Sequence, residues 1–188
     1  AAFVQLCLAI DYAHARGVLH RDLKPANVML GDFGEVHVLD WGLAKVRGAP
    51  EPAVLSAVEA SAPLPAAVTG SSPISGDQGK ATVQGAVMGT PGYMAPEQAS
   101  GRIDELDART DVYALGAVLF ELLTLAPLHP GHTAAERLIA TITPGERSPA
   151  RLHPERDVSP ELDAACVRAL AFDPKERTAT ARELGAAV

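Results

Sequence analysis

The pattern of apolar and polar positions predicts a chain made mostly of helices. Phe3, Leu6, Ile10 and Ala13 recur at helical spacing over residues 1–16, and Gly17 stands where a helix C-cap would fall. Three short β-type runs follow: Val18-Leu19, Val28-Met29-Leu30 and Val36-His37-Val38-Leu39. The last two flank Gly31-Asp32-Phe33-Gly34, which is good hairpin-turn chemistry. Helical periodicity returns further on. The strongest stretch runs from about Arg109 to Leu125, with Val112, Leu115, Leu119 and Leu122 on one stripe. Thr133 to about Ile142 forms a second, after the turn Pro130-Gly131. Ser159 opens a third, with Pro160 at its first helical position, running to about Phe172. A fourth begins near Thr180. The expected fold class is mainly α with one small β region, without internal repeats.

Composition narrows the class of partner. The chain has 188 residues, 47% hydrophobic and 21% charged, which is an ordinary globular balance. Its 16 Lys+Arg against 23 Asp+Glu give a net charge of −7, so a broad grip on nucleic acid or an anionic membrane is not expected. The apolar run Ala114 to Phe120 is far shorter than the roughly 18 residues of a membrane span. Two cysteines, Cys7 and Cys166, cannot make a disulfide framework. Each sits in an apolar helical pattern, so buried free thiols in a reducing, cytoplasmic compartment are expected. Gly and Pro are numerous, at 16 and 15, and unevenly spread. Residues 48–80 are dominated by Ala, Pro, Ser and Gly and contain no aromatic residue, which reads as a flexible insertion.

The chemistry-bearing positions cluster early. His20-Arg21-Asp22-Leu23-Lys24-Pro25-Ala26-Asn27 lies in a loop between two short strands. It offers a carboxylate, a cation two residues later and a carboxamide five residues later. Asp40 ends the next strand but one, and the hairpin places it at the same end as Asn27. Oxygens of Asn27 and Asp40 converging there suit a hard cation such as Mg²⁺. Asp22 is then available to accept a proton and Lys24 to neutralise negative charge, which are the parts phosphoryl transfer requires. Any one of these residues alone reads first as a loop-capping polar side chain; the joint spacing argues against that.

These strings resemble the protein kinase family. "HRDLKPAN" at 20–27 is similar to its catalytic loop, and "LDWGLA" at 39–44 to the segment usually written DFG. "GTPGYMAPE" at 89–97 resembles the end of the activation segment, which on this reading spans 40–97. "TDVYALGAVLFELLT" at 110–124 resembles the long buried helix that follows, and "DPKERT" at 173–178 the closing motif. The literal Asp32-Phe33-Gly34 is a turn and not the metal motif. The lysine two residues after the aspartate is the serine/threonine pattern, and the overall style is that of bacterial members.

The resemblance implies roles residue by residue. Asp22 orients the substrate hydroxyl and takes its proton, and Lys24 contacts the transferring phosphate of ATP. Asn27 and Asp40 hold Mg²⁺ or Mn²⁺. Met29 packs under the adenine, with simple core packing as the alternative. Thr90 hydrogen-bonds near Asp22 and helps form the site for the protein substrate. Glu97 pairs with Arg177, Asp111 holds the catalytic-loop backbone, and His20 and Trp41 join an apolar column. Arg21 implies control by phosphorylation of the activation segment, with Lys45 assisting. Thr82 is the first candidate acceptor, then Ser75, Ser72 or Ser71, against an ordinary solvated threonine. His37, His129, His132 and His153 read as solvated or core-edge.

The family's Gly-rich phosphate loop, strand lysine and helix glutamate have no counterpart in these residues. The expectation is therefore a larger, C-terminal lobe spanning 1–188, partial at both ends, without its smaller N-terminal lobe. Such a fragment should be inactive alone and should expose an apolar face. A pseudokinase or scaffolding module is the competing reading. Small-molecule kinases of related fold are disfavoured by "GTPGYMAPE" and "DVYALG".

Overall fold

A computed structural model describes residues 1–46 and 88–188. The expected insertion at 48–80 and the candidate acceptors Thr82, Ser75, Ser72 and Ser71 lie outside the described residues.

Helix α1 (Ala2–His14) leads to strand β1 (Val18–Leu19), with Gly17 at φ 75° turning the chain between them. A short 3-10 turn at Pro25–Asn27 precedes β2 (Val28–Leu30) and β3 (Val36–Val38). These two strands pair antiparallel with Val28 opposite Val38, as the hairpin reading anticipated. At the tip Gly34 takes φ 87°, and Phe33 is 95% exposed, which confirms Asp32-Phe33-Gly34 as a turn. Strand β4 (Lys45–Val46) was not anticipated; it pairs antiparallel with β1, Val18 opposite Val46. The short helix α2 (Pro96–Ala99) precedes α3 (Ala108–Thr124), and then come α4 (Ala134–Ile142), α5 (Pro149–Leu152), α6 (Pro160–Ala169) and α7 (Ala181–Ala186).

Five of the seven described α-helices, all but α1 and α2, start at short polar side chains. Asp107, Thr133, Ser148, Ser159 and Thr180 each accept a backbone N–H from the first turn of the helix they begin.

The core forms around α3. Its predicted single stripe is an underestimate, because Val112 through Phe120 are all buried and only its last turns emerge. Leu122, placed on that stripe, is 58% exposed. A helix that is apolar all round belongs in the middle of a domain. Leu6, Cys7 and Ile10 of α1 pack into the same cluster, with Cys166 and Ala169 of α6 and Leu184 of α7. The α3–α6 approach is close enough that Gly116 has no room for a side chain: a Cβ there would lie 2.9 Å from Cβ of Ala169. Cys7 and Cys166 are buried and free, and desolvation pushes both thiols up, Cys7 to about 12. No described helix is long and apolar enough to cross a membrane.

His129 corrects part of the reading of the loop histidines. It is only 5% exposed, with Nε2 2.9 Å from the Tyr113 hydroxyl. Burial, and then the nearby Arg147 cation, lower its pKa to about 4.

Candidate active site

The loop between β1 and β2 is buried to an unusual degree for polar sequence. His20, Arg21, Asp22 and Asn27 are all under 9% exposed. Groups so placed need partners, because an unpaired buried polar atom is costly. Asp111, in the first turn of α3, supplies them from below. Its Oδ2 accepts the His20 backbone N–H at 2.8 Å, and its Oδ1 accepts the Arg21 N–H at 2.8 Å. His14, in the last turn of α1, donates from Nε2 to the same Oδ2 at 2.7 Å. The α-helical core thus grips the loop through one carboxylate.

That grip holds a strained backbone. Arg21 adopts φ 66° and Asp40 φ 58°, a region side-chain-bearing residues rarely enter. Such conformations persist only where the surroundings over-determine them, and they concentrate at functional sites. His20 closes the upper side. Its Nε2 donates to the Leu39 carbonyl at 3.0 Å and its Nδ1 accepts the Asp22 N–H at 3.3 Å, which requires the proton on Nε2. Its ring also lies 4.6 Å from that of Trp41, tilted by 56°.

Three side chains converge on Asp22. Thr90 donates its hydroxyl to Asp22 Oδ1 at 2.6 Å. Lys24 Nζ reaches Asp22 Oδ2 at 3.0 Å and Thr90 Oγ1 at 2.7 Å. Asn27 Nδ2 donates to the Asp22 carbonyl at 2.8 Å and, more weakly, to Oδ2 at 3.3 Å. Thr90 is 68 residues away in sequence, so this contact is purely tertiary. The structure therefore brings together Asp22, Lys24, Asn27 and Thr90.

Asp40 stands apart from that network. It is exposed, and its Oδ1 accepts the Gly42 N–H at 3.3 Å. The Leu39 N–H donates to the Asn27 carbonyl at 2.8 Å, which ties the residue before Asp40 to Asn27 and keeps both at one end of the hairpin. A carboxamide and a carboxylate at that end are the oxygen-bearing side chains that could hold a hard cation such as Mg²⁺. Met29 is 50% exposed on β2, so the core-packing alternative for it is corrected. Arg21 is 4% exposed, and its Nε donates to the Leu43 carbonyl at 2.5 Å.

The far side of the site is framed by α2. Glu97 and Arg177 make a buried two-pronged ion pair at 2.8 and 3.1 Å, and Thr110 donates to the same carboxylate at 3.1 Å. Tyr93 donates to Glu121 Oε2 at 2.6 Å; burial and then that carboxylate push the phenol well above its ordinary range. Two contributors were not singled out from the sequence. His14 carries no signal in the sequence beyond its place in the first helical pattern. Gln98, 6% exposed, donates from Nε2 to the Arg21 carbonyl and to the Met88 carbonyl, both at 2.6 Å. The available signal for Gln98 is its place directly after Glu97, the last residue of the 89–97 string.

Comparison with known proteins extends across the chain. A family model described as "Protein kinase domain" matches residues 1–186. The protein named serine/threonine-protein kinase PknD in Chlamydia felis is 38% identical over 182 residues, covering 97% of this chain. That of Chlamydia pneumoniae is 38% identical over 184 residues, and that of Chlamydia trachomatis serovar D 35% over 190. The chain spans 18% of the length of each of these relatives.

Proposed function

The chain belongs to the protein kinase family, and from that premise we propose that it carries the catalytic machinery for transferring the γ-phosphate of ATP to serine or threonine hydroxyls of proteins. The convergence of Lys24, Asn27 and Thr90 on the buried carboxylate of Asp22 carries this reading. Asp22 is the base. Its Oδ1 already accepts a hydroxyl, that of Thr90, and a substrate serine or threonine presents the same group to the same carboxylate. Lys24 sits within hydrogen-bond reach of both Asp22 and Thr90, where a cation offsets negative charge on the transferring phosphoryl oxygens. Positioning and charge neutralisation supply most of the catalysis in this class of reaction.

Asn27 and Asp40 are the residues that would hold Mg²⁺, or Mn²⁺, which when bound supplies charge neutralisation to the nucleotide phosphates. Met29, half-exposed at this end of the fold, offers an apolar surface for the adenine. Arg21 is the residue we assign to sensing phosphate on the activation segment, with Thr82 the proposed acceptor. The reading takes residues 1–188 as the larger lobe of a two-lobed domain, with 48–80 as an insertion in the activation segment 40–97. The similarity to PknD proteins over nearly the whole chain supports serine and threonine as acceptors.

In the full-length protein, Asp22→Asn should lower phosphate transfer from radiolabelled ATP to a serine-containing protein substrate by about 10²–10⁴-fold. Unchanged transfer would overturn the assignment. The 188 residues alone should transfer negligible phosphate, because they contain no Gly-rich loop or strand lysine to align the nucleotide.

A further inference from the structure

Arg21 is the backbone on which Asp22 is presented, and its left-handed conformation has to be held from outside. Its N–H is held by Asp111 of α3 at 2.8 Å. Its carbonyl is held by a different element, through Gln98 of α2 at 2.6 Å. The same Gln98 nitrogen donates to the Met88 carbonyl at 2.6 Å. A carboxamide NH₂ has two hydrogens, so one side chain can serve two acceptors at once. Neither a carboxylate nor an apolar side chain of that length can do so.

The Met88 end of this bridge leads to Thr90 two residues later, whose hydroxyl meets Asp22. Between them lies Gly89, at φ 124°. A Cβ at Gly89 would stand 2.7 Å from Gln98 Nε2 and 3.0 Å from the Arg21 carbonyl. The glycine is thus what lets the chain pass close enough for the bridge to form.

We propose that Gln98 is a positioning residue for phosphoryl transfer: by bridging the Arg21 and Met88 carbonyls it holds the strained peptide before Asp22 and sets Thr90 on the Asp22 carboxylate. This rests on the kinase reading above. Gln98 acts opposite Asp111, one side chain holding the Arg21 N–H and the other its carbonyl. It joins the catalytic loop to the returning segment without touching substrate.

The test uses the full-length protein and three variants: Gln98→Glu, which is isosteric but cannot donate; Gln98→Met, which removes both bonds; and Gly89→Ala, which leaves the glutamine in place and obstructs its approach. Each is measured for kcat, for KM towards ATP, for thermal melting, and for amide hydrogen exchange over 88–94 and over 112–120. The expected result is exchange over 88–94 faster by about tenfold, with 112–120 unchanged. With it kcat per folded enzyme falls by about tenfold and KM for ATP holds steady. Gln98→Glu should be worse than Gln98→Met, because a carboxylate faces two carbonyl oxygens. Wild-type exchange over 88–94 in all three variants overturns the proposal. So does faster exchange with kcat unchanged, and so does a lowered melt with exchange raised equally in both regions, which marks a structural prop. If the unmutated full-length protein transfers no phosphate, the kinase reading falls, and the exchange arm alone then decides whether the bridge exists.

Discussion

His129 shows how a single buried group makes stability depend on pH. Its imidazole is held neutral in the fold, with a pKa of about 4 against an ordinary 6.5. Between those values the unfolded chain takes up a proton that the folded chain refuses, so stability falls as pH falls. The contribution is complete above about pH 6.5 and declines progressively towards pH 4, by a total on the order of 3 kcal/mol. Urea midpoints at pH 7 and pH 5 should therefore differ, and His129→Gln should flatten the difference while retaining a partner for Tyr113. An unchanged pH slope in that variant would reject this account. Tyr113 belongs to the same buried group, its phenol pushed up to about 12 by burial. The convergence of Asp22, Lys24 and Asn27 was legible because their order and spacing in the β1–β2 loop are dense with chemistry. Gln98 was not, since its role depends on two carbonyls, one of them 77 residues away in sequence.

Among elements, length decided what could be read in advance. The four long helices and the β2–β3 hairpin carry periodicity or turn residues, and the structure places them within a few residues of expectation. Strand β4 and helices α2 and α5 contain two to four residues each, too few to show any period. They exist because of what they pack on. The periodicity of α3 misled in a different way: Val112, Leu115 and Leu119 mark one buried face, but Ala114, Gly116 and Ala117 complete the burial on the other. Small residues are weak markers of a face in sequence and strong ones in packing. Gly116→Ala should expose this. Helix propensity favours the alanine by up to about 1 kcal/mol, yet its Cβ meets that of Ala169, which cannot move without α6. We expect a net loss of about 1–2 kcal/mol in chemical denaturation. Adding Ala169→Gly should recover part of it through a favourable coupling. Strictly additive losses in the double variant would contradict the steric reading.

Across the whole molecule, the distribution of exposed apolar surface is uneven. Phe3, Leu6, Pro25, Val28, Leu30, Val118 and Leu122 line an apolar groove of about 210 Å³. Met29, Leu39, Trp41 and Val46 are further exposed hydrophobic residues at or beside the short strands. Surfaces of this kind drive association in water. Replacing Leu30 and Leu122, 62% and 58% exposed, by Gln should reduce self-association of the 188-residue chain in light scattering. The melting temperature should hold, because neither side chain is buried. Scattering equal to that of the parent chain would show the groove to be inert. At this scale the sequence could indicate a helical class and an exposed face but not the groove, which forms only where α1, β2 and α3 meet.

The two attachments at residues 46 and 88 carry one more consequence. Val46 is paired with Val18, two residues before His20, and Met88 is tied through Gln98 to Arg21. Val46 and Met88 are therefore both attached to one four-residue stretch of backbone, 18–21. A displacement at either of these two residues reaches the backbone before Asp22 through one strand pairing or one bridging carboxamide, so the two attachments are coupled to each other across that stretch.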